Sequence, residues 1–265
     1  MNCKICNADA PKIFSARVLQ KYDVGYFQCS TCGFAFTDNA YWLDEAYKDA
    51  ISDLDVGYAT RNIYLVELTA MIIKICYKTP NKYMDYGGGY GLFVRLMRDR
   101  GFNFFRQDRY CKNIFANHFD HESLVNEKLE LATAFEVFEH LPEPLAELEL
   151  MLAQAKSVLF STEILPTNHL TNVKEWWYFM PETGQHLSFY SIESLKSIAK
   201  KYQLNLYSNG KNLHLLTSKK FILNPIWWIS KGFNVYNYIF SRHFLNKKSL
   251  INKDFKEILK TRVTH

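Results

Sequence analysis

No run of 18 apolar residues occurs in the 265-residue chain, so the sequence predicts no membrane-spanning helix. The opening Met1-Asn2-Cys3-Lys4 lacks the apolar stretch of a signal peptide. Both absences point to a cytoplasmic location, where thiols stay reduced and paired cysteines favour metal over disulfide. Low-complexity segments and internal repeats are missing too, which excludes solenoids and disordered arrays.

What is present is ordinary for a globular protein: 48% hydrophobic and 22% charged residues, enough chain for one α/β domain with small appendages. The net charge of +5 is unevenly spread. Residues 219–265 hold ten basic and two acidic side chains, while the other 218 residues hold 22 basic and 25 acidic. The basic character therefore belongs to the tail and not to the fold. Aromatic residues, at 16%, suit stacking on sugars or bases, although codon bias explains them as simply.

Three parts follow from the patterning. Residues 1–50 are turn-rich and carry four cysteines; residues 51–218 alternate helical and strand patterns, as in a doubly wound sheet; residues 219–265 form a basic, aromatic extension read as helical. In the middle part, residues 60–77 read as a helix with Ile63, Val66, Ala70, Ile73 and Tyr77 on one face, ended by Thr79-Pro80-Asn81. Lys82–Tyr86 reads as the first strand. A helix with Leu92, Phe93, Leu96 and Met97 inward stops at Gly101, and residues 103–107 form a second strand. Leu131–Val137 and Ser157–Thr162 read as buried strands, with a helix over 143–154 between them. Ser191 caps a helix to about Tyr202, and Leu204–Ser208 pairs antiparallel with Leu213–Ser218. Glu130 follows Asp108 by only 22 positions, so one helix of the usual sheet is expected to be missing or reduced to a turn.

Two C-x-x-C pairs, Cys3/Cys6 and Cys29/Cys32, offer four thiolates across a 22-residue spacer. That set suits one closed, structural zinc. Cys76 and Cys111 have no such spacing and are read as buried.

Asp85-Tyr86-Gly87-Gly88-Gly89-Tyr90-Gly91 follows a strand and opens a helix. The dinucleotide pattern G-x-G-x-x-G fails here, because its third glycine would fall on Leu92. An acid followed by G-x-G-x-G resembles the first motif of class I S-adenosylmethionine (SAM)-dependent methyltransferases. The resemblance implies a Rossmann-like doubly wound α/β sheet. It also implies SAM bound over Asp85, Gly87, Gly89 and Gly91, with Asp108 on the ribose. The segment Glu136-Val137-Phe138-Glu139-His140-Leu141-Pro142-Glu143-Pro144 resembles the E-H-L-x-x-P stretch after the fourth strand of that superfamily. By resemblance Glu136 faces SAM or the acceptor, and Glu139 and His140 line the helix start. For Glu139, a plain helix N-terminus acid fits equally well.

Gly184-Gln185-His186-Leu187-Ser188-Phe189-Tyr190-Ser191 is similar to the pattern of bacterial sugar and small-molecule methyltransferases, several of which carry an N-terminal four-cysteine module. That likeness puts His186 at the general-base position with Tyr178 nearby. It covers most of residues 1–218. Its members that methylate carbon on nucleotide-linked deoxysugars carry a large further C-terminal domain, whereas only 47 residues follow here. The favoured expectation is therefore oxygen methylation of a sugar in a surface glycan or its precursor. A zinc-ribbon RNA methyltransferase, a sugar C-methyltransferase and a binding module on a dead fold are the alternatives. Nucleic acid is not expected, since the basic residues lie far in sequence from the cysteines. For the tail, with Ile226-Trp227-Trp228-Ile229, a packed helical cap is favoured over an anchor on a membrane surface.

Overall fold

The computed structural model describes residues 1–48, 53–77, 81–123, 128–166 and 170–233, with Lys256 and Lys260 as isolated helical positions. The expected break at Thr79-Pro80, the division between residues 50 and 51, and the tail beyond 233 apart from those two lysines lie outside the described residues.

The fold is mixed α/β, with a six-stranded sheet ordered β5-β4-β6-β7-β10-β9. Its strands are β4 (Lys82–Tyr86), β5 (Asn103–Gln107), β6 (Leu131–Phe135), β7 (Ser157–Ser161), β9 (Asn205–Ser208) and β10 (Leu213–Thr217). The first four run parallel, while β10 is antiparallel to both β7 and β9. Parallel strands covered on both faces read as continuous apolar runs, and Val158-Leu159-Phe160 is wholly buried. The alternation of β7 splits its side chains between two cores. Val158 and Phe160 join Met84, Leu148 and Ile198 on one side, and Leu159 joins Val66, Phe93 and Ile226 on the other.

After a one-turn helix α1 (Leu43–Ala46), the covering helices are α2 (Tyr58–Cys76), α3 (Leu92–Asp99), α4 (Pro144–Gln154) and α5 (Ile192–Lys201). Ser191 caps α5 by accepting from Ser194 N–H at 3.0 Å. On α2, Val66, Ala70, Ile73 and the following Tyr77 are buried as expected, but Ile63 is exposed, so the apolar stripe begins one turn later. Cys76 is buried; Cys111 is only half-buried, on a surface turn after β5. Among the described residues of 108–130, the only helical piece is a short 3₁₀ turn, His121–Ser123.

Residues 1–48 supply three strands of a second, four-stranded sheet. A hairpin of β1 (Lys12–Val18) and β2 (Tyr22–Gln28) fills the spacer between the cysteine pairs, and β3 (Ala35–Thr37) extends it. The fourth strand of this sheet is β8 (Ser188–Phe189), which comes from the central part of the chain. The Trp42 indole N–H donates to the Gly184 carbonyl at 2.8 Å, and the Ser191 hydroxyl donates to the Cys32 carbonyl at 2.5 Å. Cys3, Cys29 and Cys32 share one core with Phe138, Leu141 and Tyr190.

Candidate active site

From β4 the chain crosses outward to β5 and then returns to β6 on the other side of β4. Loops leaving the carboxyl ends of β4 and β6 diverge at that reversal, which is where an open α/β sheet has its crevice. The glycine loop leaves β4, and Glu136 leaves β6.

Gly87, Gly89 and Gly91 all have positive φ, at 67°, 53° and 86°. Steric demands separate the three. A Cβ on Gly87 would lie 2.6 Å from the Val137 side chain, and one on Gly91 would lie 2.7 Å from Asn113 Oδ1. A Cβ on Gly89 would meet only Tyr58 Oη, at 3.7 Å, so this position borders open space. Asp108 Oδ2 accepts from the Gly89 N–H at 2.9 Å, while its Oδ1 accepts from the N–H groups of Tyr110 and Cys111 at 2.8 and 2.7 Å. The acid assigned to a ribose is thus also the post around which two loops are tied. Arg106, buried beside it, donates from Nε to the Gly89 carbonyl at 2.6 Å and pairs with Asp120 at 2.8 Å. Asp85 lies beneath the loop, buried, accepting from the Thr133 hydroxyl at 2.6 Å; burial pushes its pKa up to about 7. The structure places it as a support for the loop, facing Thr133 and the backbone turn.

Glu136 is held in the left-handed region, φ 54°, an uncommon conformation for a side-chain-bearing residue. Ser161, at the end of β7, supports it twice. The Ser161 Oγ accepts from the Glu136 N–H at 2.8 Å and donates to Oε1 at 2.6 Å. Arg61 of α2 approaches Oε2 at 3.8 Å and makes a bidentate pair with Asp55 at 2.9 and 2.6 Å.

Behind Glu136, a 3₁₀ turn (Phe138–His140) carries Glu139 and His140 toward the loop that holds His186. Glu139 is fully buried. Its Oε1 accepts from the Tyr178 hydroxyl at 2.6 Å, and Oε2 has no hydrogen-bond partner among the described residues. Burial, with the charge of Glu136 next, raises its pKa well above the usual carboxylate range. The same burial holds the Tyr178 phenol protonated, so Tyr178 acts as a donor. His140 and His186 meet edge to face with ring centroids 4.9 Å apart, and the His186 ring lies 4.6 Å from that of Tyr178. His140 Nδ1 is 3.0 Å from Tyr47 Oη and 3.1 Å from the Gln185 carbonyl oxygen.

Four of the five residues expected to act on the acceptor therefore converge: Glu139, His140, Tyr178 and His186. Glu136 stands between them and the glycine loop, which it touches through the neighbouring Val137. Arg61, Asp55, Tyr47 and Arg106 also belong to the site and carried no motif. Arg61 and Asp55 lie in or before a helix whose apolar stripe masks their purpose, and only their proximity after folding marks them.

Two donor sets have ligand chemistry. Glu139, His140 and His186 bring one ligand-type atom each within 4.8 Å of one another, and so do Cys3, Cys6, Cys29 and Cys32. In the second set the Cys3–Cys32 and Cys6–Cys29 sulfurs are 3.6 and 3.4 Å apart. Tetrahedral zinc thiolates at about 2.3 Å imply sulfurs about 3.8 Å apart, so these residues fit the ion. Backbone N–H groups of Ile5, Thr31 and Cys32 point at Cys3 and Cys29 sulfurs at 3.4 Å, an arrangement that stabilises thiolates.

Residues 54–209 match a family model described as a methyltransferase domain. No curated protein matches the sequence. Among solved structures, an O-methyltransferase family protein from Burkholderia thailandensis is 10% identical with a TM-score of 0.43, over 68% of this chain and 63% of that one. The plantazolicin methyltransferase BpumL in complex with SAH is 11% identical with a TM-score of 0.47, over 68% and 95%. The magnesium protoporphyrin IX methyltransferase from Synechocystis PCC 6803 with bound SAH is 14% identical with a TM-score of 0.43, over 66% and 93%. The chain thus spans less than two thirds of the length of the Burkholderia protein.

Proposed function

Because the chain belongs to the methyltransferase-domain family, whose model takes in more than half of its length, we propose that it transfers a methyl group from SAM to an acceptor hydroxyl, with His186 as general base. The reading is that of a sugar O-methyltransferase acting on a surface glycan or its precursor, and it rests on the His-bearing loop and the aromatic residues around it. One observation carries the site assignment. Gly87 packs on Val137, one residue from Glu136, so the glycine loop and the Glu139–His140–His186 cluster open onto the same strand ends.

SAM, when bound, supplies an activated methyl group whose departure leaves a neutral thioether. The chain's residues have two tasks. The first is alignment of acceptor oxygen, methyl carbon and sulfur for in-line displacement. Gly89 leaves space for the donor, and Glu136, fixed by Ser161, borders it. The second task is the proton. Nε2 of His186 would take up the proton of the acceptor hydroxyl as the methyl group is transferred. Cys3, Cys6, Cys29 and Cys32 would hold one structural zinc that stiffens the wall behind His186 through β8.

Labelled SAM incubated with the purified chain and a panel of monosaccharides, nucleotide sugars, oligosaccharides and RNA tests the reading. Label in an acid-stable sugar ether supports it. Label in RNA, or on carbon, replaces it with one of the other acceptors.

A further inference from the structure

The segment after β10 shows two unlike faces. Residues 225–233 are helical. Ile226 and Ser230 are buried, and Ile229 and Phe233 pack against the same core, with the Phe233 ring 5.3 Å from Tyr64 of α2. The spacing 226, 229, 230, 233 is one stripe of an α-helix. Its start is fixed to the sheet: Asn224 Oδ1 accepts from the Trp227 N–H at 3.1 Å, and Asn224 Nδ2 donates to the Ser208 carbonyl at 2.7 Å. The Phe221 N–H donates to the Tyr207 hydroxyl at 2.7 Å. Residues 225–233 of the extension thus pack on the domain through this stripe.

The other face is apolar as well. Ile222 is fully exposed, Leu223 is 63% exposed, Trp228 54% and Trp227 37%. The two indoles touch edge to face at 4.7 Å, and the Lys231 ammonium sits 4.5 Å over the Trp227 ring. Lys220 and Lys231 are exposed beside them. With Ile226 in the core and Asn224 bonded to Ser208, Trp227 and Trp228 lie outward. Paired indoles with flanking ammonium groups match the boundary between lipid headgroups and acyl chains, where a Trp ring is half solvated. Residues 234–265 add seven basic side chains against two acidic ones, the charge that anionic headgroups attract. Among the described residues no helix is long and apolar enough to cross a membrane, so the match is to the surface.

We propose that Ile222, Leu223, Trp227 and Trp228, flanked by Lys220 and Lys231, dock the protein on an anionic lipid surface. The inference is independent of the acceptor reading, because it uses none of the crevice residues. Docking would place a methyltransferase beside acceptors carried on lipid.

The full chain should co-sediment with phosphatidylcholine vesicles containing phosphatidylglycerol far better than with phosphatidylcholine alone. Salt should weaken that binding, and vesicles should shift tryptophan emission to the blue. A Trp227→Ala/Trp228→Ala variant should bind such vesicles roughly tenfold more weakly or worse, since two interfacial anchors are lost, with SAM affinity by calorimetry unchanged. If that variant fails to fold, Ile222→Ser/Leu223→Ser, which touches no core residue, should show the same loss. Absence of binding to anionic vesicles at low salt would overturn the proposal. So would undiminished binding by a folded variant, or binding to RNA that is insensitive to the tryptophans.

Discussion

Nδ1 of His186 lies 2.6 Å from the backbone carbonyl oxygen of Tyr178. A carbonyl can only accept, so Nδ1 carries the proton and Nε2 carries the lone pair. The tautomer a general base needs is therefore set by backbone, and Glu136 and Glu139 are not needed to orient the ring. The same surroundings change the acidity. Burial, reinforced by the neighbouring His140, pushes His186 down to about 3, and burial pushes His140 down to about 4. Burial thus moves both imidazoles below their ordinary range. His186→Ala should lower turnover by roughly 10²–10⁴-fold, the usual contribution of general-base catalysis, with SAM affinity unchanged. The wild-type pH–rate profile should show no lower limb near about pH 6.5, because the base stays unprotonated well below that. A wild-type limb at that pH would show that burial does not lower the ring's pKa, and a fully active variant would remove His186 from the role.

Stability should respond to pH in two opposed ways. His140, His186 and His214 have folded pKa values lowered to about 4, 3 and 4 by burial. The unfolded chain takes up those protons below about pH 6.5, so stability falls as pH drops from there. Asp85 and Glu139 are shifted the other way, and the folded state keeps protons that the unfolded state releases above about pH 4. Their contribution falls as pH rises through neutrality. Thermal unfolding should thus be latest at slightly acid pH. Glu139→Gln keeps an acceptor for the Tyr178 hydroxyl and abolishes the titration. Its melting temperature should gain on wild type as pH rises from about 5.5 to about 8. Parallel curves for the two proteins would show that Glu139 ionises freely in the fold.

Much of this was readable in the chain. The strands β4, β5, β6 and β7, the glycine loop and the cap at Ser191 announce themselves through short-range rules: apolar runs, breaker residues and side-chain caps act over a few positions. The reduced unit between Asp108 and Glu130 followed from length alone. What could not be read was long-range. Nothing local says that β8 leaves the central part of the chain to complete the N-terminal sheet, or that Arg61 of α2 faces Glu136. The burial of Asp85 and the exposure of Ile63 were hidden for the same reason: a motif and a helical period give direction along the chain, not depth beneath a loop or the limit of a covered face.

The three glycines should behave differently. Gly87→Ala adds a Cβ 2.6 Å from Val137 at φ 67°, so it should destabilise the fold itself. Gly89→Ala meets only the Tyr58 hydroxyl at 3.7 Å, and it projects toward the crevice. That variant carries the backbone strain of φ 53° without the clash, so it should melt a few degrees below wild type, well above Gly87→Ala, and yet bind SAM roughly tenfold or more weakly, since the backbone can no longer be approached. Calorimetry and thermal unfolding on both variants separate the two effects. Unchanged SAM affinity in Gly89→Ala, or a preference for a dinucleotide, would move the donor site elsewhere.

Removal of metal should be felt far from the cysteines. Purified protein should contain about one zinc per chain, bound by Cys3, Cys6, Cys29 and Cys32, because tetrahedral thiolate sites bind one ion. Three of these four side chains are buried in a core that includes Phe138, Leu141 and Tyr190, which back the Glu139–His140 turn. The hairpin of β1 and β2 rises from the same cysteine pairs and, through β3, holds β8, two residues beyond His186. A zinc knot folding as an independent bead would release its ion with no effect on the crevice. This arrangement predicts the opposite: chelation should lower the single melting transition of the whole domain and weaken turnover more than SAM binding, because the acceptor side of the crevice is the side that β8 supports. Cys29→Ser should be the most damaging single change, since the Cys29 sulfur accepts from the Thr31 and Cys32 N–H groups at 3.4 Å as well as facing Cys6. Metal analysis, a melting curve with and without chelator, and turnover of the stripped protein settle the matter together. Metal-free protein that melts and turns over like the original would show four cysteines packed as ordinary core thiols.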